Sequence, residues 1–269
     1  MSSNYIAFAI EMAKYANREI SNNFNQTKDI EIKSDKTLVT SIDKSINSHI
    51  IAQSAINFPD FTVLGEEEST ETTKSEFTWV CDPIDGTLPF VIGMPTSTFS
   101  LALCQNGVPI VGIISHPFTN TWVQAEITRG AKDQDGNSIR VNTKKLNDTA
   151  SILNVDWWPL SEFDFGDVFK NLIQKEEAFI ITPGSTCYAA LIVAKGGFTA
   201  SIFPGSKGKY MDMAAASLIV REAGGMATDF AGQDQRYDQD INGCLLSNGL
   251  VHETILQYLP AKKQKIEVD

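Results

Sequence analysis

The sequence predicts an α/β protein, α+β over its first half and α/β over its second, from three observations. Two apolar runs, residues 100–104 and 109–114, flank Asn106-Gly107, the dipeptide best suited to the tight turn of a β-hairpin. Beyond residue 146, short β-prone runs alternate with helical stretches, the rhythm of strand–helix units. Two of those helical stretches end on Gly196-Gly197 and Gly224-Gly225, residues suited to a left-handed helix cap.

In chain order, residues 1–24 predict an amphipathic helix, because Ile6, Ala9, Ile10, Ala13 and Ala16 recur at helical spacing. The polar stretch 25–36 reads as an exposed hairpin or a flap. Thr40 and Ser41 offer caps for a second helix reaching about residue 57. Residues 61–64 form a short strand that runs into Gly65-Glu66-Glu67, and the strand 77–81 delivers Asp82. Strand-like segments then fill 97–124, with turns at Thr119-Asn120 and Asp135-Gly136, so the first half reads as helices packed on an antiparallel sheet. In the second half, strands 152–155, 178–181, 198–203 and 241–247 alternate with helices 161–174, 185–195, 211–223 and 251–259. No linker-like stretch interrupts the chain. It reads as one domain, 1–269, with sub-halves of about 1–145 and 146–269.

The 269 residues are 42% apolar and 20% charged, enough for a substantial core. A formal net charge of −11 repels nucleic acid and anionic membranes, which argues against both as partners. It also repels a phosphorylated substrate, so such a substrate needs a locally positive group such as a metal ion. Cys81, Cys104, Cys187 and Cys244 are far apart and without a Cys-x-x-Cys pair, which implies reduced thiols and a cytoplasmic setting. No apolar run is long enough to span a bilayer.

The chemistry concentrates in Asp82-Pro83-Ile84-Asp85-Gly86-Thr87. An apolar strand ends in two carboxylates, and Pro83 holds a turn that lets them converge. Convergent carboxylate oxygens suit Mg2+, which keeps positions open for water and phosphate. Gly86 permits close backbone approach, and a helix starting at Thr87 points unpartnered amides at an oxyanion. Pro89 fits the first turn of that helix. An isolated Asp-x-x-Asp is ordinarily a solvated turn. What sets this one apart is the whole string after an apolar strand, joined by Glu66 at another strand end and Asp212 ahead of Ala214, Ala215 and Ala216. Taken locally, Asp212 reads equally as a first-turn helix aspartate.

Five segments resemble motifs of the inositol monophosphatase family, within the lithium-sensitive, magnesium-dependent phosphatase superfamily. They are Thr40-Ser41-Ile42-Asp43 with Gly65-Glu66-Glu67, the complete Asp82 to Thr87 string, Met211-Asp212-Met213-Ala214-Ala215, and Glu222-Ala223-Gly224-Gly225. The resemblance implies a layered α-β-α-β-α sandwich, a phosphoric monoester hydrolase and two or three Mg2+ ions. It implies that Glu66, Asp82 and the Ile84 carbonyl hold one ion, that Asp82, Asp85 and Asp212 hold a second, and that Glu66, with Glu67 nearby, touches a third. Gly86 and Thr87 amides would take the phosphate. The Thr87 hydroxyl and Asp43 would orient and activate the attacking water, with Glu66 also in the catalytic set. A homodimer is implied as well, with Trp157-Trp158-Pro159 as a candidate contact.

One departure from the family pattern sits beside the phosphate motif, where Pro89 follows Gly86-Thr87-Leu88 in place of a usual asparagine. The others fall in the substrate half, where Met211, Ile181 and Thr199 replace a usual tryptophan, arginine and acidic residue and the loop 203–209 carries Lys207 and Lys209. Those lysines, with Ser185 and Thr186, are candidate substrate contacts. Residues 90–95, His116-Pro117 and Gly184-Ser185-Thr186-Cys187-Tyr188 resemble the histidinol-phosphate phosphatase branch more closely. A sugar or nucleotide bisphosphate is a further alternative substrate. A non-catalytic metal- or phosphate-binding regulator is the alternative of another class. His49, His116 and His252 lie outside every motif and read as structural, and residues 33–40 read as a flap beside Asp43.

Overall fold

A computed structural model describes residues 2–26, 29–33, 38–70, 75–158, 161–205 and 210–260. Lys207 and Lys209 lie outside the described residues, as do 34–37 of the flap and Pro159. The chain begins with helix α1 (Ser2–Asn23), strands β1 (Ile30–Ile32) and β2 (Leu38–Thr40), helix α2 (Ser41–Asn57) and strand β3 (Thr62–Gly65). Strand β4 (Phe77–Asp85) leads into helix α3 (Thr87–Ile92) and the strands β5 (Thr98–Gln105), β6 (Val108–His116), β7 (Thr121–Glu126) and β8 (Ala131–Asp133). The second half runs β9 (Ile152–Val155), α4 (Gly166–Gln174), β10 (Phe179–Ile180), α5 (Thr186–Ala194), β11 (Ala200–Phe203), α6 (Tyr210–Glu222), β12 (Met226–Thr228), β13 (Cys244–Ser247) and α7 (His252–Leu256).

Two sheets organise these elements. One has the order β3-β4-β5-β6-β7-β8, antiparallel except for the parallel β3–β4 pair. The other has the order β10-β9-β11-β13-β12 and is mixed, parallel through β9 and antiparallel at β13 and β12. Strand alternation decides what each face touches. Trp79, Cys81, Phe99, Leu101 and Leu103 pack with α1 and α2 residues such as Phe8, Ala13, Ile46 and Ile50. Their neighbours Val80, Ala102 and Cys104 point the other way, into a layer made of α5 and α6. Phe203, Cys244 and Leu246 cover that layer from the second sheet. Leu153, Val155, Ala200, Ile202 and Leu245 face outward onto Val168 and Leu172 of α4 and Ile255 of α7. Five layers result, α-β-α-β-α. Each fully buried Leu, Ile or Phe in them contributes about 1.5–3 kcal/mol of apolar transfer free energy.

Small residues allow the central layer to close. A Cβ on Gly112 of β6 would lie 3.2 Å from Ala215 Cα, so glycine on the strand and alanine on α6 together set the helix-to-sheet distance. The hairpin turn is as expected, with Asn106 and Gly107 both at positive φ, 50° and 82°. Gly196 and Gly224, at φ 77° and 88°, end α5 and α6.

Strands β2 and β8 are not predicted by the sequence, and three further elements differ from that expectation. The helix expected from residue 161 starts only at Gly166: Phe163 and Phe165, two residues apart, both join the outer core cluster, which a helix running through them would not allow. Strand β12 is too short, three residues, to show a period. Pro83 lies inside β4, where the ladder to β5 skips between Asp82 and Asp85, so the bend is an irregularity within a strand.

Candidate metal and phosphate site

Asp82 and Asp85 leave the same end of β4 on either side of that irregularity, which aims both carboxylates at α6. There Asp212 sits in the first turn. One carboxylate oxygen from each of Asp82, Asp85 and Asp212 lies within 4.8 Å of the others, and all three residues are buried. Like charges so close in a low dielectric repel strongly, and a hard divalent cation is the natural counter-charge. The donor set is all oxygen, so the residues fit magnesium.

Asp85 is held from several sides. Thr98 Oγ1 (2.9 Å), the Cys187 amide (2.9 Å) and the Ser185 hydroxyl all donate to its Oδ2. The Thr186 amide donates to Oδ1 at 3.1 Å. Ser185 is the N-cap of α5, so Asp85 meets the positive end of that helix. Burial raises its carboxyl above the usual carboxylate range, and the four hydrogen bonds oppose that rise without cancelling it.

Gly86 follows in the left-handed region at φ 81°, where a Cβ would sit 2.9 Å from Ser185 Cβ. Only glycine meets both demands. Its carbonyl accepts from Ser97 Oγ at 2.8 Å, which fixes the plane of the following amide. No side chain caps α3, so its first amides are left for an oxyanion. The Thr87 hydroxyl lies 3.2 Å from the Ile84 carbonyl and 3.4 Å from Asp43 Oδ1.

Asp43 divides its two oxygens. Thr40 caps α2, and Asp43 Oδ2 accepts from the Thr40 amide (2.9 Å) and hydroxyl, closing a capping box. Oδ1 is left facing Thr87. Burial pushes the Asp43 carboxyl up to about 7; the Thr40 bonds oppose this, and Glu67 and Glu66 add to it.

Glu66 stands apart from the aspartate trio. Lys33, at the end of β1, donates to Glu66 Oε1 at 3.1 Å and to Glu67 Oε1 at 2.6 Å. An ammonium thus rests on the carboxylates that the resemblance gives to a metal ion. Ser185 and Thr186 do lie beside the trio, but their hydroxyls are directed at Asp85 and Asp156, respectively. Asp156 escaped the sequence reading. It follows β9 as Asp82 follows its apolar run, and a carboxylate at a strand end was the available signal. Burial pushes Asp156 up to about 7; Asn154 opposes this, Asp85 adds to it, and Thr186 opposes it. Of the histidines, His49 stacks on Tyr15, His116 on Tyr188, and His252 bridges Ser247 and Thr228.

Asp43 and Asp156 give the metal-free protein a definite pH dependence. Their folded values, about 7, lie above the unfolded value of roughly 4. Their contribution is complete below pH 4 and is lost as pH rises through 7. Thermal melts of metal-free protein should fall by about 5 °C or more from pH 5 to pH 8, and less in Asp156→Asn. An equally steep fall in that variant contradicts the assignment.

The sequence model of the Inositol monophosphatase family matches residues 1–264. The "Fructose-1,6-bisphosphatase/inositol-1-monophosphatase" of Thermotoga maritima is 31% identical over 251 residues, 93% of each chain. A protein of Pasteurella multocida named "Nus factor SuhB" is 32% identical over 235 residues, covering 83% of this chain and 84% of its own. The solved structure of a Thermotoga maritima IMPase superposes with a TM-score of 0.83 at 28% identity, over 95% of this chain and 96% of its own. With the family's sequence model matched almost end to end, over residues 1–264, the chain belongs to the inositol monophosphatase family.

Proposed function

We propose that the chain hydrolyses a small-molecule phosphate monoester in a magnesium-dependent reaction, with water as the attacking group. The observation that supports it most is the buried trio Asp82, Asp85 and Asp212, with oxygens inside 4.8 Å, next to the uncapped start of α3. Asp82, Asp85 and Asp212 would hold one ion. Glu66, Asp82 and the Ile84 carbonyl would hold another, in exchange for Lys33, and Glu66 with Glu67 nearby would touch a weaker third. Bound magnesium supplies Lewis acidity, acidifying a water and neutralising phosphate charge. The Gly86 and Thr87 amides grip phosphate oxygens and remain aimed at the charge that builds there during displacement. The Thr87 hydroxyl orients the water, and Asp43 Oδ1 accepts its proton.

The domain works as one unit in this reading: the first half, about 1–145, carries the phosphate grip, and 146–269 supplies Asp212 and the substrate wall. The partners are a phosphorylated metabolite and a second copy of the chain, with nucleic acid disfavoured by the net charge of −11. Trp158 packs on Phe203, whereas Trp157 is 48% exposed and is the tryptophan free to form the homodimer contact. Among the described residues no helix is long and apolar enough to cross a membrane, and the four cysteines are free and buried, as a cytoplasmic location would have them.

A phosphate-release panel tests the reading: inositol 1-phosphate, histidinol phosphate, fructose 1,6-bisphosphate and adenosine 3',5'-bisphosphate, each with magnesium and with added lithium. At least one is expected to be hydrolysed and inhibited by lithium. Release from none, by folded protein, supports a non-catalytic regulator, the reading favoured by the relative named as a Nus factor.

A further inference from the structure

We propose that Asp156 is a specificity-determining residue of this site: it accepts hydrogen bonds from hydroxyl or ammonium groups on the substrate's alcohol and turns away a second phosphate. The inference rests on the phosphatase reading above.

Its basis is the alternation of β9. Leu153 and Val155 point into the outer core cluster, so Asn154 and Asp156 face the opposite way, toward α5. Asp156 follows the strand directly, its amide bonding to the Ile202 carbonyl at 2.9 Å. Its Oδ2 accepts from Thr186 Oγ1 at 3.2 Å, and the amide of the same Thr186 donates to Asp85 Oδ1 at 3.1 Å. One residue therefore separates Asp156 from a carboxylate of the metal cluster. Gly86, the start of the phosphate grip, abuts Ser185, the residue before Thr186. The alcohol of a phosphate ester seated at Gly86 and Thr87 then lies against the α5 N-terminus, with Asp156 at its side.

Among the described residues, Thr186 and Asn154 are the side chains that hydrogen-bond to Asp156, and neither carries a charge. Asp156 is buried, and among the described residues no lysine, arginine or histidine pairs with it. Asn154, also buried, donates Nδ2 to Ser201 Oγ at 2.9 Å, while its Oδ1 has no hydrogen-bond partner among the described residues. A buried carboxylate and a buried amide oxygen side by side are satisfied by O–H or N–H donors. A second phosphate placed there would meet like charge in a low dielectric. The plainer account is a structural acid that donates its proton to Asn154 Oδ1. Loss of such a group would weaken all substrates alike.

The two accounts separate in the kinetics of Asp156→Asn, with Asp156→Ser as the second variant and circular dichroism as the check on folding. The substrates are inositol 1-phosphate (hydroxyl donors), histidinol phosphate (an ammonium), p-nitrophenyl phosphate (no donor) and fructose 1,6-bisphosphate. The expected result is a fall of about 10-fold or more in kcat/KM for a donor-bearing monophosphate relative to p-nitrophenyl phosphate, expressed mainly in KM. Fructose 1,6-bisphosphate should gain relative to p-nitrophenyl phosphate. Whichever monophosphate loses more identifies the donor as hydroxyl or ammonium. A uniform fall across all four, no change in the ratios, or a wild type that prefers the bisphosphate overturns the assignment. Absence of magnesium-dependent release from every substrate by the wild type sinks the phosphatase reading and this inference with it.

Discussion

Asp85→Asn is expected to lower kcat by about 10³-fold or more while leaving the protein folded. The aspartate does two things at once. It brings negative charge to the cluster with Asp82 and Asp212, and it holds β4 to Thr98 of β5 and to the start of α5 through Ser185, Thr186 and Cys187. Asparagine keeps the shape. Its amide hydrogens, however, face donors where the carboxylate presents acceptors, and it brings no charge to a cation. The cost to folding is moderated because removing one of three crowded carboxylates also relieves their repulsion. Magnesium affinity by calorimetry should fall together with kcat, with the far-ultraviolet circular dichroism unchanged. Full activity in the variant would remove Asp85 from the mechanism.

Asp43→Asn separates proton acceptance from metal binding. The substitution retains an oxygen that can accept from the Thr40 amide, so the capping box of α2 survives in part. What it loses is a group able to take a proton through Oδ1 beside Thr87. The expected loss is about 10²–10⁴-fold in kcat, with magnesium affinity close to wild type. The pH profile carries the sign. A base must be ionised, so wild-type activity should fall as pH drops below the Asp43 value. That value is about 7 in the metal-free protein and is lowered when cations bind nearby. The variant should lack this acid limb, and an unchanged limb in it would assign the titration to another group.

Much of this site was legible because its densest part is contiguous. Asp82 to Thr87 packs two carboxylates, a left-handed glycine and a helix start into six residues, and each has a local reason to be there. The capping role of Thr40 was legible for the same reason. Asp212 depended on the family motif, since its convergence on Asp82 requires α6 to pass under the first sheet at the Gly112–Ala215 contact. The Lys33 ion pair with Glu66 and Glu67 depends on how the β1–β2 hairpin folds back, and no spacing in the sequence encodes that. Asp156 was missed because its importance comes from Thr186, thirty residues away in sequence and adjacent only in the folded chain. Phe163 and Phe165 misled the helix expectation by joining the core from an irregular segment.

The central claim is that the buried aspartates work through magnesium to release phosphate. It is tested most directly by stripping the protein with a chelator and titrating Mg2+ back while following phosphate release from p-nitrophenyl phosphate. The predicted result is no release in the stripped protein, saturable recovery with Mg2+, and loss of that recovery in Asp212→Asn. Release that persists in chelator, or none at any Mg2+ concentration, would contradict it.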